Sequence, residues 1–341
     1  MFRKRKLASR FLMVIFCLLL ALTLIGCPSD DGNGDTNGNG DEEPKGTLIF
    51  ADLLWDSALF HNQVAGFILE HGYGYEIEYI PGSTIPLFAG LTAGDIDISM
   101  EIWVENQLVA YLDAVAAGAI VDLGMNFPDS TQGWFVPTYM IEDGLLPEGV
   151  SVFDLPDYWE LFKDPEDPTK GVFYVGDPGW ECTTIDMEKM EVYGLDEYYN
   201  LFITGSGDTL AASMVAAYAK EEPWFGYYWK PTFLMGQLDM TQIVEPPYDE
   251  ELWATNKGMA YPADRIDICV NASLLDRAPE VVTFLQNYET MAVMIARALV
   301  YMEENDVGHE EAAIWFLQEY EDVWTEWVPA DIEAKVKAAL P

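Results

Sequence analysis

An α/β fold in two lobes, with mainly parallel sheets flanked by helices and a ligand cleft between the lobes, is what this chain predicts. Three observations predict it. From Thr47 onward, strand-like apolar segments alternate with helical ones, the pattern of βαβ units. The length, 341 residues with 50% hydrophobic side chains, suits two lobes with a sizeable core better than one. The third is the stretch from Gly171 to Thr183. Val172 to Val175 read as a short buried strand, Gly176-Asp177-Pro178-Gly179 as a turn, and a helix is expected to begin near Thr183 or Thr184. Strand, tight turn and helix put backbone N–H groups and one exposed side chain, here Trp180, at the mouth of an α/β cleft.

In chain order, residues 1–26 read as an export signal. Arg3, Lys4, Arg5, Lys6 and Arg10 precede an apolar run from Phe11 to Ile25, which is short against the roughly 20 residues of a membrane span. The ending Leu24-Ile25-Gly26-Cys27 resembles the lipobox of bacterial lipoproteins, which implies cleavage before Cys27 and lipid on its sulfur. Residues 27–46 are rich in Gly, Asp, Asn, Glu and Pro. They cannot bury apolar surface and should form a tether, spanning on the order of 25 Å.

Strands are then expected at Thr47 to Leu54, Glu76 to Ile80 and Asp95 to Trp103, the last from the alternation of Ile96, Ile98, Met100 and Ile102. Helices are expected at Ser57 to His71, Thr84 to Ala93 and Asn106 to Ala117. Gly133 to Met140 reads as a strand passing to the second lobe. That lobe would hold the Gly171 strand, a helix from Asp208 (a candidate N-cap) to Lys220, and a strand from Trp224 to Trp229. Tyr261 to Asn271 would return to the first lobe, and helices from Ala278 to Pro341 would cover it.

Net charge is -41, from 58 acidic and 17 basic residues. That excludes binding to nucleic acid, which needs clustered Lys and Arg, and charge-driven docking on anionic lipid. No Gly-x-Ser-x-Gly elbow, phosphate loop or His-rich metal motif is present. The chain therefore reads as a binding protein, not an enzyme, with no cofactor and no metal. Cys182 and Cys269, in an exported chain, could pair or stay free. Asp95 and Asp97 read as a loop edge or solvated face.

The aromatic residues are more informative. Among eleven tryptophans, Trp315, Trp324 and Trp327 lie at helical spacing and read as core, and Trp159 as packing for a short helix. Trp55, Trp103, Trp180 and Trp229 instead each sit where a predicted strand ends, at the edge where α/β sheets bind ligands. Rings converging on one point suit a large, weakly hydrated cation, above all a quaternary ammonium.

Three motifs carry a resemblance running from Thr47 to about Pro329. They are Asp95-Ile96-Asp97-Ile98-Ser99-Met100-Glu101-Ile102-Trp103, Asp177-Pro178-Gly179-Trp180-Glu181-Cys182, and Glu222-Pro223-Trp224-Phe225-Gly226-Tyr227-Tyr228-Trp229-Lys230-Pro231. In these the chain resembles the substrate-binding protein of glycine betaine/proline betaine ABC importers. The resemblance implies a type II periplasmic-binding-protein-like fold, with lobe I at 47–137 and 253–341 and lobe II at 138–252. It implies a monomer, anchored through Cys27 on the extracytoplasmic face of the membrane, that delivers a quaternary ammonium solute to a permease with its ATPase. It implies further that Trp103, Trp180 and Trp229 box the trimethylammonium group and that the N–H groups of Glu181 and Cys182 bind the ligand carboxylate. Gln107 would be a helping donor and Trp55 a fourth wall or lid. Where some relatives have a second cysteine, six residues before Cys182, this chain has Gly176. Glu101 lies on the face of Trp103 by period two. It would either favour a net cation in the cage or pair with a base such as Arg265, the latter being favoured. Choline, carnitine or a polyamine-like cation remains an alternative ligand, and a secreted carbohydrate-binding module an alternative class.

Overall fold

The computed structural model describes residues 45–341. The signal segment, Cys27 and nearly all of the tether lie outside the described residues. Strands β1 (Thr47–Asp52), β2 (Glu76–Pro81) and β3 (Ile98–Trp103) are parallel in the order β2-β1-β3. They are joined through α1 (Asp56–Phe67), which widens into a π-helical turn over Ile68–Tyr73, and α2 (Thr84–Ala93). Gly94 ends α2 in the left-handed region (φ 85°), a conformation open to glycine at little cost. Every residue of β3 is buried, so the alternation in its sequence marks a strand covered on both faces. Asp97, just before β3, is buried rather than solvated: it accepts the Ile49 N–H (2.9 Å) and pairs with Arg277.

Helix α3 (Leu108–Ala116) leads into β4 (Ile120–Pro137), much longer than the strand expected from Gly133. From Ile120 to Ser130 it runs antiparallel to β9 (Asp264–Asn271), and from Thr131 to Phe135 antiparallel to β7 (Gly226–Lys230). One strand thus joins the two halves of a mixed sheet, in the order β2-β1-β3-β9-β4-β7 and then β5 (Gly171–Val175) and β6 (Tyr199–Ile203). Its ladder with β9 breaks register between Phe127 and Ser130, where Asp129 takes a left-handed φ of 66°. In the second half, after the short α4 (Tyr139–Glu142), come β5 (Gly171–Val175), α5 (Glu181–Val192), β6 (Tyr199–Ile203) and α6 (Gly207–Tyr218). Here β5 is parallel to both β6 and β7, and β8 (Met240–Gln242) pairs with β4. The sheet is therefore mixed rather than mainly parallel, and every antiparallel pair of strands involves β4, which joins the halves, or its neighbour β9. The N-cap of α6 is Ser206, whose Oγ accepts the Thr209 N–H (3.1 Å), and not Asp208.

Helices Pro279–Asn287, Ala292–Asn305, His309–Glu319 and Ala330–Ala339 complete the chain and pack on the first half. Phe60 of α1 meets Phe316 edge-on at 5.4 Å, and Tyr288 lies 4.2 Å from Trp327. Trp324 and Trp327 are core, as expected. Trp315 is only half-buried and stacks on Tyr301 (4.7 Å). Cys182 and Cys269 are both free and buried. Among the described residues no helix is long and apolar enough to cross a membrane.

Candidate functional site

Each of the four singled-out tryptophans is held by a strand end or a helix start. Trp55 is the N-cap of α1, three residues after β1, and Trp103 is the last residue of β3. Trp180 is the N-cap of α5, so that helix begins two residues earlier than expected. Trp229 lies in β7, and Tyr228 and Tyr227 stack beside it at 4.7 and 6.1 Å. Trp180 stands between two of the others, 6.0 Å from Trp55 at 90° and 5.3 Å from Trp229 at 89°. It is not an exposed turn tip: only 6% of it is accessible. Perpendicular neighbours make walls around a point, where coplanar ones would make a platform. The four rings, with Tyr227, Thr84, Asn106 and Cys182, line a cavity of about 40 Å³. A wider cleft of about 370 Å³ shares Trp55 and Trp229 with it and is bordered by Asp56, Asp208, Glu303 and Asp306.

Backbone geometry explains the tight seat of Trp180. A Cβ on Gly176 would lie 2.4 Å from the Trp180 ring. The glycine that stands where some relatives carry cysteine is therefore the floor under the ring. Gly176→Ala is expected to push the ring off its seat and cost about 1–3 kcal/mol of stability as an overpacked contact. The near-ultraviolet circular dichroism of the indoles should change with it. Gly236→Ala, where an added Cβ meets nothing within 4 Å, should leave that spectrum as in the parent.

Contacts between the sheet halves cluster at the same place. Ser83 Oγ donates to Asp177 Oδ1 (2.7 Å), and the Ile85 N–H donates to the Gly179 carbonyl (3.1 Å). Asp177 also accepts the Gly179 N–H (2.6 Å), which braces the turn before α5. The first-turn N–H groups of that helix, at Glu181 and Cys182, have no acceptor within a helix of this sense. Cys182 lines the cavity, and burial pushes its thiol well above the ordinary range, so it stays protonated.

Glu101 is 1% exposed, and its Oε2 accepts two indole N–H groups, from Trp55 (2.8 Å) and Trp103 (3.3 Å). The favoured pairing with Arg265 does not occur. Ile102 stands opposite Asp267 in the β3–β9 ladder, so Arg265 and Asp267 occupy the face away from Glu101. Arg265 pairs there with Asp267 (Nε to Oδ1, 3.0 Å) and Asp122. Burial pushes the Glu101 carboxyl up to about 7, against the pull of its hydrogen bonds from Trp55, Ser57 and Trp103. Gln107 does not line the tryptophan cavity; its neighbour Asn106 does. Gln107 is buried at the start of α3 and borders a separate 10 Å³ cavity with Glu101. Of that turn the sequence reading named Gln107, and the structure places Asn106 at the cavity. That reading also missed Tyr227, although period two from Trp229 carried the signal, and Thr84, for which there was none.

With both of those indole N–H groups engaged by Glu101, the cavity presents mainly ring faces. Such a site can hold a methylated cation and offers little to a sugar. Among the described residues no three metal-ligating side chains converge.

Comparison with known proteins gives the family and the fold. The profile of the substrate binding domain of ABC-type glycine betaine transport systems matches residues 46–319. A trimethylamine N-oxide-binding protein of Pelagibacter ubique (strain HTCC1062) is 24% identical over 294 residues, 83% of this chain and 91% of that one. In structure, a choline binding protein of an ABC transporter, in complex with choline, superposes with a TM-score of 0.73 at 18% identity, covering 86% of this chain and 98% of its own. The glycine betaine/L-proline-binding protein ProX of Borrelia burgdorferi superposes at 0.71 and 18% identity, covering 85% and 99%. These two likenesses establish the fold.

Proposed function

The chain belongs to the family of substrate-binding domains of ABC-type glycine betaine transport systems, and from that premise we propose that Trp55, Trp103, Trp180 and Trp229 cage the trimethylated nitrogen of its solute. As a member of that family it is the extracytoplasmic solute-binding component of an importer, not an enzyme, and serves a permease with its ATPase. The observation that carries the ligand reading is Trp180 standing perpendicular to both Trp55 and Trp229 around one small, mainly aromatic cavity that Trp103 also lines. A trimethylammonium group is a large cation that ring faces attract without having to replace lost hydrogen bonds. For glycine betaine, the Glu181 and Cys182 N–H groups at the start of α5 would take the carboxylate. The named ligands of the relatives, choline and trimethylamine N-oxide, share the trimethylated nitrogen.

Ligand binding would close the two sheet halves about β4 near Asp129, and the Ser83–Asp177 and Ile85–Gly179 contacts fit the closed form. The lobe boundaries at 137 and 252 belong to this reading, as does action as a monomer. Isothermal titration against glycine betaine, choline, trimethylamine N-oxide, carnitine and a sugar panel tests it. Binding confined to trimethylated amines is expected; preference for a sugar, or for dimethylglycine over glycine betaine, overturns it.

Anchoring through Cys27 is part of the same proposal, on the strength of the Leu24-Ile25-Gly26-Cys27 ending. Cys27→Ser is expected to release soluble protein or to accumulate precursor in cell fractionation. A variant that is still processed and membrane-bound would refute the anchor.

A further inference from the structure

Glu101 places a carboxylate directly against the cage with no base to answer it. Its Oε2 collects the indole N–H groups of two separate walls, Trp55 from the start of α1 and Trp103 from the end of β3. Its Oε1 has no hydrogen-bond partner, and none of the ion pairs among the described residues includes it. The available guanidinium on the neighbouring strand, Arg265, is committed to the opposite face. A buried carboxylate answered by neutral donors and no base is costly, and native proteins rarely keep one without use.

We propose that Glu101 is the counter-charge of the cage: it fixes the Trp55 and Trp103 rings by their N–H edges and makes the site discriminate in favour of ligands with net positive charge. The inference rests on the cage reading above and deepens it. A carboxylate at the N–H edge of an indole lies in the ring plane, so the ring face stays free for the ligand while the charge acts across the ring. A monocation such as choline gains the full attraction. A zwitterion such as glycine betaine brings its own carboxylate and gains less. The arrangement favours choline-like cations over betaines.

Proton linkage gives a readout that a merely structural role would not move. The raised carboxyl titrates near pH 7. Between the ordinary carboxylate range and pH 7, the folded protein keeps a proton that the unfolded chain has lost. Glu101 therefore lowers stability as pH rises through that window. A bound cation favours the ionised form and reverses part of that effect, so cation affinity should climb with pH and level off above 7. Other titratable groups lie on the packed elements. His61 of α1 is buried, donor or acceptor to Tyr288 (2.7 Å), and lowered by burial to about 3, so it stays neutral. Tyr288 is raised well above its usual range by burial and by the Glu101 charge. Asp56, exposed at the head of α1, pairs with His309. Asp186 also titrates near 7, but it lies on α5 in the other half, so the variant profile rather than the parent profile carries the test.

The experiment is titration of the full chain and of Glu101→Gln with choline and with glycine betaine, from pH 5.5 to 8.5. For the parent, choline affinity should rise about tenfold across the range and betaine affinity by less than threefold. In Glu101→Gln at pH 8, choline should weaken at least tenfold, betaine less than threefold, and the choline profile should be flat. Trp55→Phe is the second variant, covering a Glu101→Gln that does not fold. It keeps a ring but removes one donor from the carboxylate, and should move the midpoint of the choline profile to higher pH. Equal losses for both ligands, a pH profile that survives Glu101→Gln, or an unmoved midpoint in Trp55→Phe would overturn the counter-charge role and leave the cage standing. A parent protein that binds neither ligand would overturn the cage and the counter-charge together.

Discussion

Replacing Trp180 and Trp229 together by alanine is expected to weaken binding of the trimethylated ligand by at least a hundredfold, against about tenfold for each single change. Each ring facing a desolvated cation contributes roughly 0.5–2 kcal/mol, and 1.4 kcal/mol is about tenfold in affinity. The edge-on support between Trp180 and Trp229 at 5.3 Å is lost already in each single change, so it pulls the pair below the sum. Removing both rings also admits water, which screens the attraction of Trp55 and Trp103 for the cation and pushes the loss the other way. Trp180 should be the most sensitive single site, since it touches both flanking walls. Trp→Phe at the same positions should cost less than Trp→Ala. The contrast is Trp324→Ala. That ring is fully buried beneath the C-terminal helices and donates to the Leu317 carbonyl (2.7 Å). Its loss should cost about 3–5 kcal/mol of stability and leave ligand affinity unchanged in the folded fraction. Trp315 is the weaker control, being half-buried. Calorimetric titration with parallel urea unfolding separates the two behaviours; cage variants that bind like the parent would end the assignment.

What could be read from the chain beforehand follows the range of the forces involved. Trp103, Trp180 and Trp229 were legible because strand ends and glycine turns are local, and the motifs around them placed the chain in its family. The burial of Trp180 was not legible, because Trp55 arrives from the head of α1 and Trp229 from β7, both distant in sequence. The same holds for Glu101. Period two gave its face correctly, but its partner depends on the β3–β9 register, which puts Arg265 on the other side. Strand β4 was seen only in its last third, since Gly124, Pro128 and Gly133 read locally as breaks, whereas the long ladders with β9 and β7 carry the strand through them. Strand direction failed for the same reason: local alternation suggests βαβ units, and nothing local announces that β4 and β9 run antiparallel to their neighbours.

Replacing Lys189 by methionine is expected to destabilise the protein by about 3–5 kcal/mol at pH 8, the usual effect of stripping one partner from a buried ion pair. Lys189 lies on α5, fully buried, with Nζ 2.6 Å from Glu245 and over the faces of Tyr261 (4.1 Å) and Trp134 (5.2 Å). Asp186, one turn earlier on α5, accepts Trp134 Nε1 (2.6 Å) and the Tyr261 hydroxyl (2.7 Å). Two carboxylates therefore share one ammonium. Burial lowers the Lys189 pKa against the pull of both acids, and burial raises Asp186 to about 7 and Glu245 above its usual range. Without the ammonium both acids would be pushed further up and would fold protonated. Since the unfolded chain releases those protons near pH 4, the variant's stability should fall steeply as pH rises from 5 to 8 and recover in part on return to pH 5. Lys189→Met with Glu245→Gln removes a charge from each side and should restore more than half of the loss. Ligand affinity should respond as well, because the same helix presents Trp180, Glu181 and Cys182 to the cage, and Tyr261 ties the Cys182 carbonyl (3.3 Å) to Asp186. Urea unfolding at the two pH values reads the result; a loss under about 1 kcal/mol, equal at both, would mean that the lysine's surroundings relax and that α5 is held by its apolar face alone.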